Sequence, residues 1–285
     1  MGKNKVGKNI TRKNIKHKNV RPRSSEMATM TAVVMAMLSL SAQLLFSKPA
    51  HALDAFEYQV YDGEINKIGE YSLETHLNSN ISGKAEGEYP EQLSPNHMTH
   101  LTFEFARGMN KYWELGAYLQ SALEEGGDYR FAGAKLRSKF IVPHAEGDPL
   151  QLAVNIEISS VPKEFEEDRF GSEIRPIVGY TLGRWLILFN PIVDIDLTKG
   201  ASATPDFQPA LKTVFDTNKG FGLGVEYYLD SGAIDKMTGL SSAEQYLFAA
   251  YDLLHGPFEL NIGVGAGLSE AANSTVAKAI FGFVF

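Results

Sequence analysis

The chain contains no cysteine among its 285 residues, which excludes a disulfide framework and a thiolate-bound metal. Beyond Ala52 there is no apolar run of about 18 residues, the length a helix needs to cross a bilayer. Positive charge is also scarce there. Ten of the 27 basic residues but one of the 34 acidic ones lie in 1–52, leaving 17 basic against 33 acidic residues and a formal charge of about −16 over 53–285. That balance argues against a nucleic-acid partner, because phosphates reward clustered Lys and Arg. Cofactor signatures are missing as well. Gly220, Gly222 and Gly224, and Gly263, Gly265 and Gly267, fall inside apolar alternating segments with no helix after them, so no dinucleotide loop and no cofactor are expected.

Residues 1–52 read as a secretory signal with an extended basic n-region, an apolar stretch from about Ala28 to Phe46, and the small-x-small site Ala50-His51-Ala52. Cleavage after Ala52 is expected. Residues 53–68, with Phe56, Tyr58, Val60 and Tyr61, then form a periplasmic lead segment or an extra strand, and 69–285 form the main domain.

That domain is dominated by period-two alternation, the mark of strands whose successive side chains point to opposite sides. Twelve such segments can be marked between Tyr71 and Phe285, and none of their roughly 58 apolar-face positions carries a charge. Examples are Leu150, Leu152, Val154, Ile156 and Ile158, and Ala132, Ala134, Leu136, Ser138 and Phe140. The opposite face collects Glu74, Glu104, Glu114, Lys135, Arg137, Lys139, Glu157, Arg175, Asp194, Asp196, Lys212, Glu226, Asp252, Glu259 and Lys278. A soluble sandwich or lipocalin-like barrel would alternate in the same way, so the choice between water and lipid rests on other features.

Three features point to lipid. Connections alternate between long and short, and with both termini on one side the short ones gather on that side. Threaded that way, the lower end of the apolar face carries Trp113, Trp185, Phe140, Phe215, Phe221 and Phe258, an interfacial aromatic girdle. The chain also stops on Ala277-x-Ala279-x-Phe281-x-Phe283-x-Phe285. This ending resembles the terminal sorting signal of Gram-negative outer-membrane barrels, and the likeness to that broad class extends over most of 69–285.

The resemblance implies an all-β fold: a single antiparallel up-and-down transmembrane β-barrel of about twelve strands, in the bacterial outer membrane, after a cleaved signal peptide. It further implies outer-membrane lipid, lipopolysaccharide and the barrel assembly machinery as partners, with Phe281, Phe283 and Phe285 as the assembly signal.

Inward Lys135, Arg137, Lys139, Glu114, Glu157, Arg175, Asp194, Glu226 and Glu259 are the candidate lumen lining and constriction, where opposed basic and acidic walls would orient polar solutes. The expected function is a channel for passive or facilitated uptake of small polar or aromatic solutes. A non-transporting structural or surface-interaction barrel is the alternative, and an outer-membrane lipid hydrolase a more distant one. No catalytic residue is assigned: His76 and His100 are both inward, and no outward Ser and His pair is in view. No metal site is expected; solvated lumen histidines are the plainer account of His76 and His100. Because Lys135 points inward, Lys135→Leu is expected to leave insertion nearly unchanged.

Overall fold

The computed structural model describes residues 53–145, 147–202, 204–253 and 258–285. The signal peptide and its cleavage site therefore lie outside the described residues, apart from Leu53 itself.

Twelve strands form in the expected places: β1 (Tyr71–Ser82), β2 (Thr99–Asn110), β3 (Trp113–Leu123), β4 (Tyr129–Ile141), β5 (Leu150–Ser160) and β6 (Phe170–Leu182), then β7 (Trp185–Asp196), β8 (Asp206–Asp216), β9 (Phe221–Asp230), β10 (Glu244–Leu253), β11 (Phe258–Gly267) and β12 (Thr275–Val284). Each pairs antiparallel with its sequence neighbours, and β12 returns to β1, so the sheet is a closed up-and-down barrel. Closure leaves no edge whose backbone groups would face hydrocarbon unpaired. The last residue completes it: Tyr71 N donates to Phe285 O (3.1 Å) and Phe285 N to Tyr71 O (2.8 Å).

The two faces match the alternation. Leu77, Phe103, Leu119, Leu136, Ile158, Val178, Leu211, Val225, Leu247, Val264 and Phe281, one from each of eleven strands, are all exposed. A continuous apolar belt of this kind is far beyond what a soluble monomer shows, whereas hydrocarbon covers it at no cost. The interior is the reverse and buries Glu104, Glu114, Lys135, Arg137, Lys139, Glu157, Arg175, Lys212, Glu226 and Lys278. The protein is thus an all-β transmembrane barrel of the outer-membrane type.

At the rim where β1 begins and β12 ends, here the near rim, aromatic side chains pair across neighbouring strands. Trp113 stacks with Phe140 (6.1 Å), Phe221 with Tyr251 (5.4 Å) and Tyr71 with Phe285 (6.0 Å), while Trp185 meets Phe215 (4.9 Å) and Phe258 meets Phe281 (5.3 Å). These are cross-strand contacts that the ladder register itself creates.

One local departure occurs in β4. Gly133, at φ +112°, forms a bulge: Gln120 pairs with Gly133 but Ser121 with Phe131. A side chain at 133 would meet Ser160 O at 2.2 Å, so only glycine fits. The extra residue flips the alternation. Ala132, expected on the outer face, is fully buried, and Phe131 takes the outward position at 60% exposure.

A charge placed on the belt measures the lipid contact directly. Ile262, flanked on the outer face by Tyr251 and Ala279, lies midway along β11. Ile262→Arg is expected to cost about 2–4 kcal/mol in refolding into lipid vesicles, as charges near the midplane of such barrels do. An unchanged urea midpoint would put this face in water.

Candidate functional site: the occupied lumen

The lumen is filled by the chain's own residues 53–66, which make neither a strand of the barrel nor a detached lead segment. The segment runs the length of the interior. At the far rim Leu53 N donates to Glu244 Oε2 (2.6 Å), and at the near rim Asn66 N donates to Glu114 Oε2 (2.7 Å) before Ile68 bridges to Gly108. Phe56, Glu57, Tyr58, Val60 and Tyr61 are all buried.

The segment is acidic where the wall is basic. Asp54 pairs with Lys135, and Glu57 lies 3.6 Å from both Lys135 and Arg175. Asp62 lies 3.6 Å from Lys139. Tyr61 sits among three cations, with Arg175 at 4.5 Å, Lys139 at 5.2 Å and Arg137 at 5.7 Å from its ring centre, and its hydroxyl bonds Glu57 and Tyr118 (both 2.7 Å). Cations over a buried tyrosine ring gain from its quadrupole.

Backbone groups of the segment are met by side chains rather than by a ladder. Asn190 accepts from Tyr61 N (2.7 Å) and donates to Tyr61 O (3.0 Å), a two-point clasp from β7. Arg175 donates to Gln59 O (3.1 Å), Lys278 to Tyr58 O (2.8 Å) and Asn78 to Ala55 O (3.0 Å). Tyr58 projects into an aromatic nest of Tyr228, Tyr246 and Phe248, with ring centres 5.4 to 5.6 Å away. Asn190→Ala removes both clasp bonds and leaves two buried backbone groups unmet. It is expected to loosen the segment by about 1–3 kcal/mol, read as faster amide exchange at 58–63 with the barrel strands unchanged.

The far rim is capped by loops. Phe165 from the β5–β6 loop packs on Phe56 (5.5 Å), and Leu93 N donates to Glu164 O (2.9 Å), tying that loop to the β1–β2 loop. In the same loop, burial and the nearby carboxylates of Asp54, Asp194 and Asp196 push the Glu166 carboxyl up to about 8, against an opposing pull from Lys135.

Of the nine residues expected to line the lumen, seven are joined by ion pairs to this segment or to other charges of the wall. Arg137 joins Glu104 (2.6 Å) and Glu114 (2.8 Å), and Lys135 lies 3.5 Å from Glu157. Arg175 holds Glu173 (2.6 Å) as well as Glu57. Glu226 gathers Lys212 (3.1 Å) and Lys278 on the other wall, and Lys212 also reaches Asp252 (2.6 Å). Asp194 is half-buried near the far rim, and the ninth residue, Glu259, is exposed at the near rim. Lys135 is therefore no idle inward charge. Its loss takes the ion-pair partner from Asp54 and one cation from each of Glu57 and Glu157, so Lys135→Leu weakens the packed lumen even though it leaves the lipid-facing surface unchanged.

His76 lies 3.3 Å from Glu104 and 3.8 Å from Glu74, and donor atoms of the three fall within 4.8 Å of one another. Glu104 is already engaged by Arg137, and Glu74 accepts from Gln59 Nε2 (3.1 Å). The trio therefore belongs to the ion network of the wall. Alternation alone did not place the stretch 53–68 in the lumen. Its signal was Asp54, Glu57, Asp62 and Glu64 placed upstream of β4's Lys135, Arg137 and Lys139.

No protein-family model matches the chain, and no curated protein does. Among solved structures it is similar to an outer membrane channel from Pseudomonas putida F1, at 11% identity and TM-score 0.55, covering 80% of this chain and 100% of that one. It is also similar to the KdgM porin in complex with disordered oligogalacturonate, at 8% identity and TM-score 0.46, covering 75% of this chain and 99% of that one. LpxR from Salmonella typhimurium matches at 9% identity and TM-score 0.39, covering 75% and 100%. The first of these likenesses extends the barrel fold to a solved channel.

Proposed function

We propose that the protein is an outer-membrane channel for small polar or aromatic solutes, closed by its own N-terminal segment. The observation that carries this reading is that one chain segment, contributing no strand, fills a lumen with buried charges on one wall and an apolar, aromatic cluster on the other. With the segment displaced, the wall presents Lys135, Arg137, Lys139 and Arg175 on one side and the nest of Tyr228, Tyr246 and Phe248 on the other. Such a lumen suits a small aromatic carboxylate. Glu57 and Tyr58 occupy those places as an internal stand-in, carboxylate toward the cations and ring toward the nest, while the Tyr61 ring lies among the cations.

The test is solute entry into liposomes carrying the barrel without residues 54–66. An aromatic carboxylate is expected to enter faster than an aromatic amine of equal size. Equal entry, or preference for the amine, would overturn the substrate class. A second reading, a closed surface-interaction barrel, is favoured by the tightly packed seat of Tyr58, which is 2% exposed. Under that reading, full-length protein admits neither solute under any condition that keeps it folded.

A further inference from the structure

We propose that Glu244 is a binding site for a free α-amino group, that of Leu53 in the processed chain, and that this ion pair fastens the lumen segment only after residues 1–52 are removed. Leu53 N lies 2.6 Å from Glu244 Oε2 in a buried bond, and the other carboxylate oxygen accepts from Tyr246 Oη (2.7 Å). Directly across the ladder from Glu244 stands Asp230, fully buried, with its oxygens held by Gln208 Nε2 and Gly232 N.

Among the described residues neither carboxylate has a Lys, Arg or His nitrogen at ion-pair distance; Lys84, with Glu88, acts on Glu244 only from further off. Two facing buried acids without a cation leave a charge deficit at this pole of the lumen. A peptide N–H at Leu53 offers one hydrogen bond and no charge. An α-ammonium at the same position offers a full positive charge and two further protons.

The sequence reaches the same bond by a separate route. The small-x-small site Ala50-His51-Ala52 places cleavage immediately before Leu53, so the nitrogen that meets Glu244 is the one that cleavage would free. An uncleaved precursor would have to carry its chain onward from the buried site with no charge to offer. The lock would thus couple processing to closure. It rests on cleavage at Ala52 and holds whether or not the barrel conducts.

The experiment uses full-length precursor expressed in a Gram-negative host on ¹⁵N-leucine, with the barrel purified from outer membranes and the Leu53 α-amine followed by ¹⁵N NMR titration. The N-terminal peptide is expected to begin at Leu53. The amine is expected to titrate at least about one unit above the ordinary α-amino range near 7.7–8.0, and to lose that rise in Glu244→Gln. Burial without an ion pair would shift the amine the other way, so the sign separates a lock from mere enclosure. A mature chain beginning elsewhere, or an amine at or below the ordinary range in the wild type, would overturn the proposal. Should Glu244→Gln fail to assemble, a Gly-Ser insertion after Ala52 moves the new amine away from Glu244 with the wall intact. Protease cleavage within 53–66 is then expected to accelerate about tenfold relative to wild type, as loss of a one-unit ion pair implies. Unchanged protection would overturn the proposal.

Discussion

Deleting residues 54–66 is expected to raise the conductance of the refolded barrel in planar bilayers by roughly an order of magnitude or more, because the segment is the only backbone crossing the lumen among the described residues. Ion selectivity should move with it. The deletion takes out Asp54, Glu57, Asp62 and Glu64 and leaves their wall partners Lys135, Lys139 and Arg175 facing water, so the open lumen gains positive charge and favours anions. Changing Lys135 and Arg175 to Gln in the deleted form should then shift selectivity back toward cations. A deletion variant that stays heat-modifiable and silent would show that the walls close the lumen by themselves.

Arg137→Leu is expected to cost about 3–5 kcal/mol of unfolding free energy in vesicles, the range for removing one partner from a buried ion network. Arg137 is 3% exposed, joins Glu104 and Glu114 at 2.6 and 2.8 Å, and lies beneath Tyr61. Its loss takes the guanidinium from both Glu104 and Glu114, leaving Glu104 with His76, and removes one of the three cations around that ring. Adding Glu104→Gln and Glu114→Gln should recover a large part of the loss, since neutral amides carry no unpaired charge. A wild-type urea midpoint for Arg137→Leu would mean that the network is solvated and weak.

The barrel was legible in the sequence because lipid and lumen impose opposite demands on alternate residues, and a charge-free stripe such as Leu150, Leu152, Val154, Ile156 and Ile158 satisfies only one register. Period two carries no information about an inserted residue, and so Ala132 was expected outside where the Gly133 bulge turns it in. The lumen charges were legible as inward-facing but not as partners. Glu104 on β2 meets Arg137 on β4, and Glu226 on β9 meets Lys278 on β12, across strands that are not neighbours, and such pairs depend on the curvature of the closed barrel. The lumen segment was least visible. A chain enclosed on every side buries both of its faces, as Glu57 and Tyr58 do together, and then shows neither the alternation of a strand nor the polarity of a loop. Only the match of its acids to the basic run of β4 hinted at its place.

An engineered disulfide tests whether this segment sits in the lumen as a movable closure, in a protein that has no other cysteine. A Cβ built on Gly63 would lie 2.6 Å from Gln151 Cβ, so a shift of about an ångström brings the pair Gly63→Cys and Gln151→Cys to bridging distance. Single-channel recording of this variant is expected to show silence while the bridge is intact and channel openings after reduction. Equal conductance before and after reduction, with the bridge verified by mass, would contradict the account.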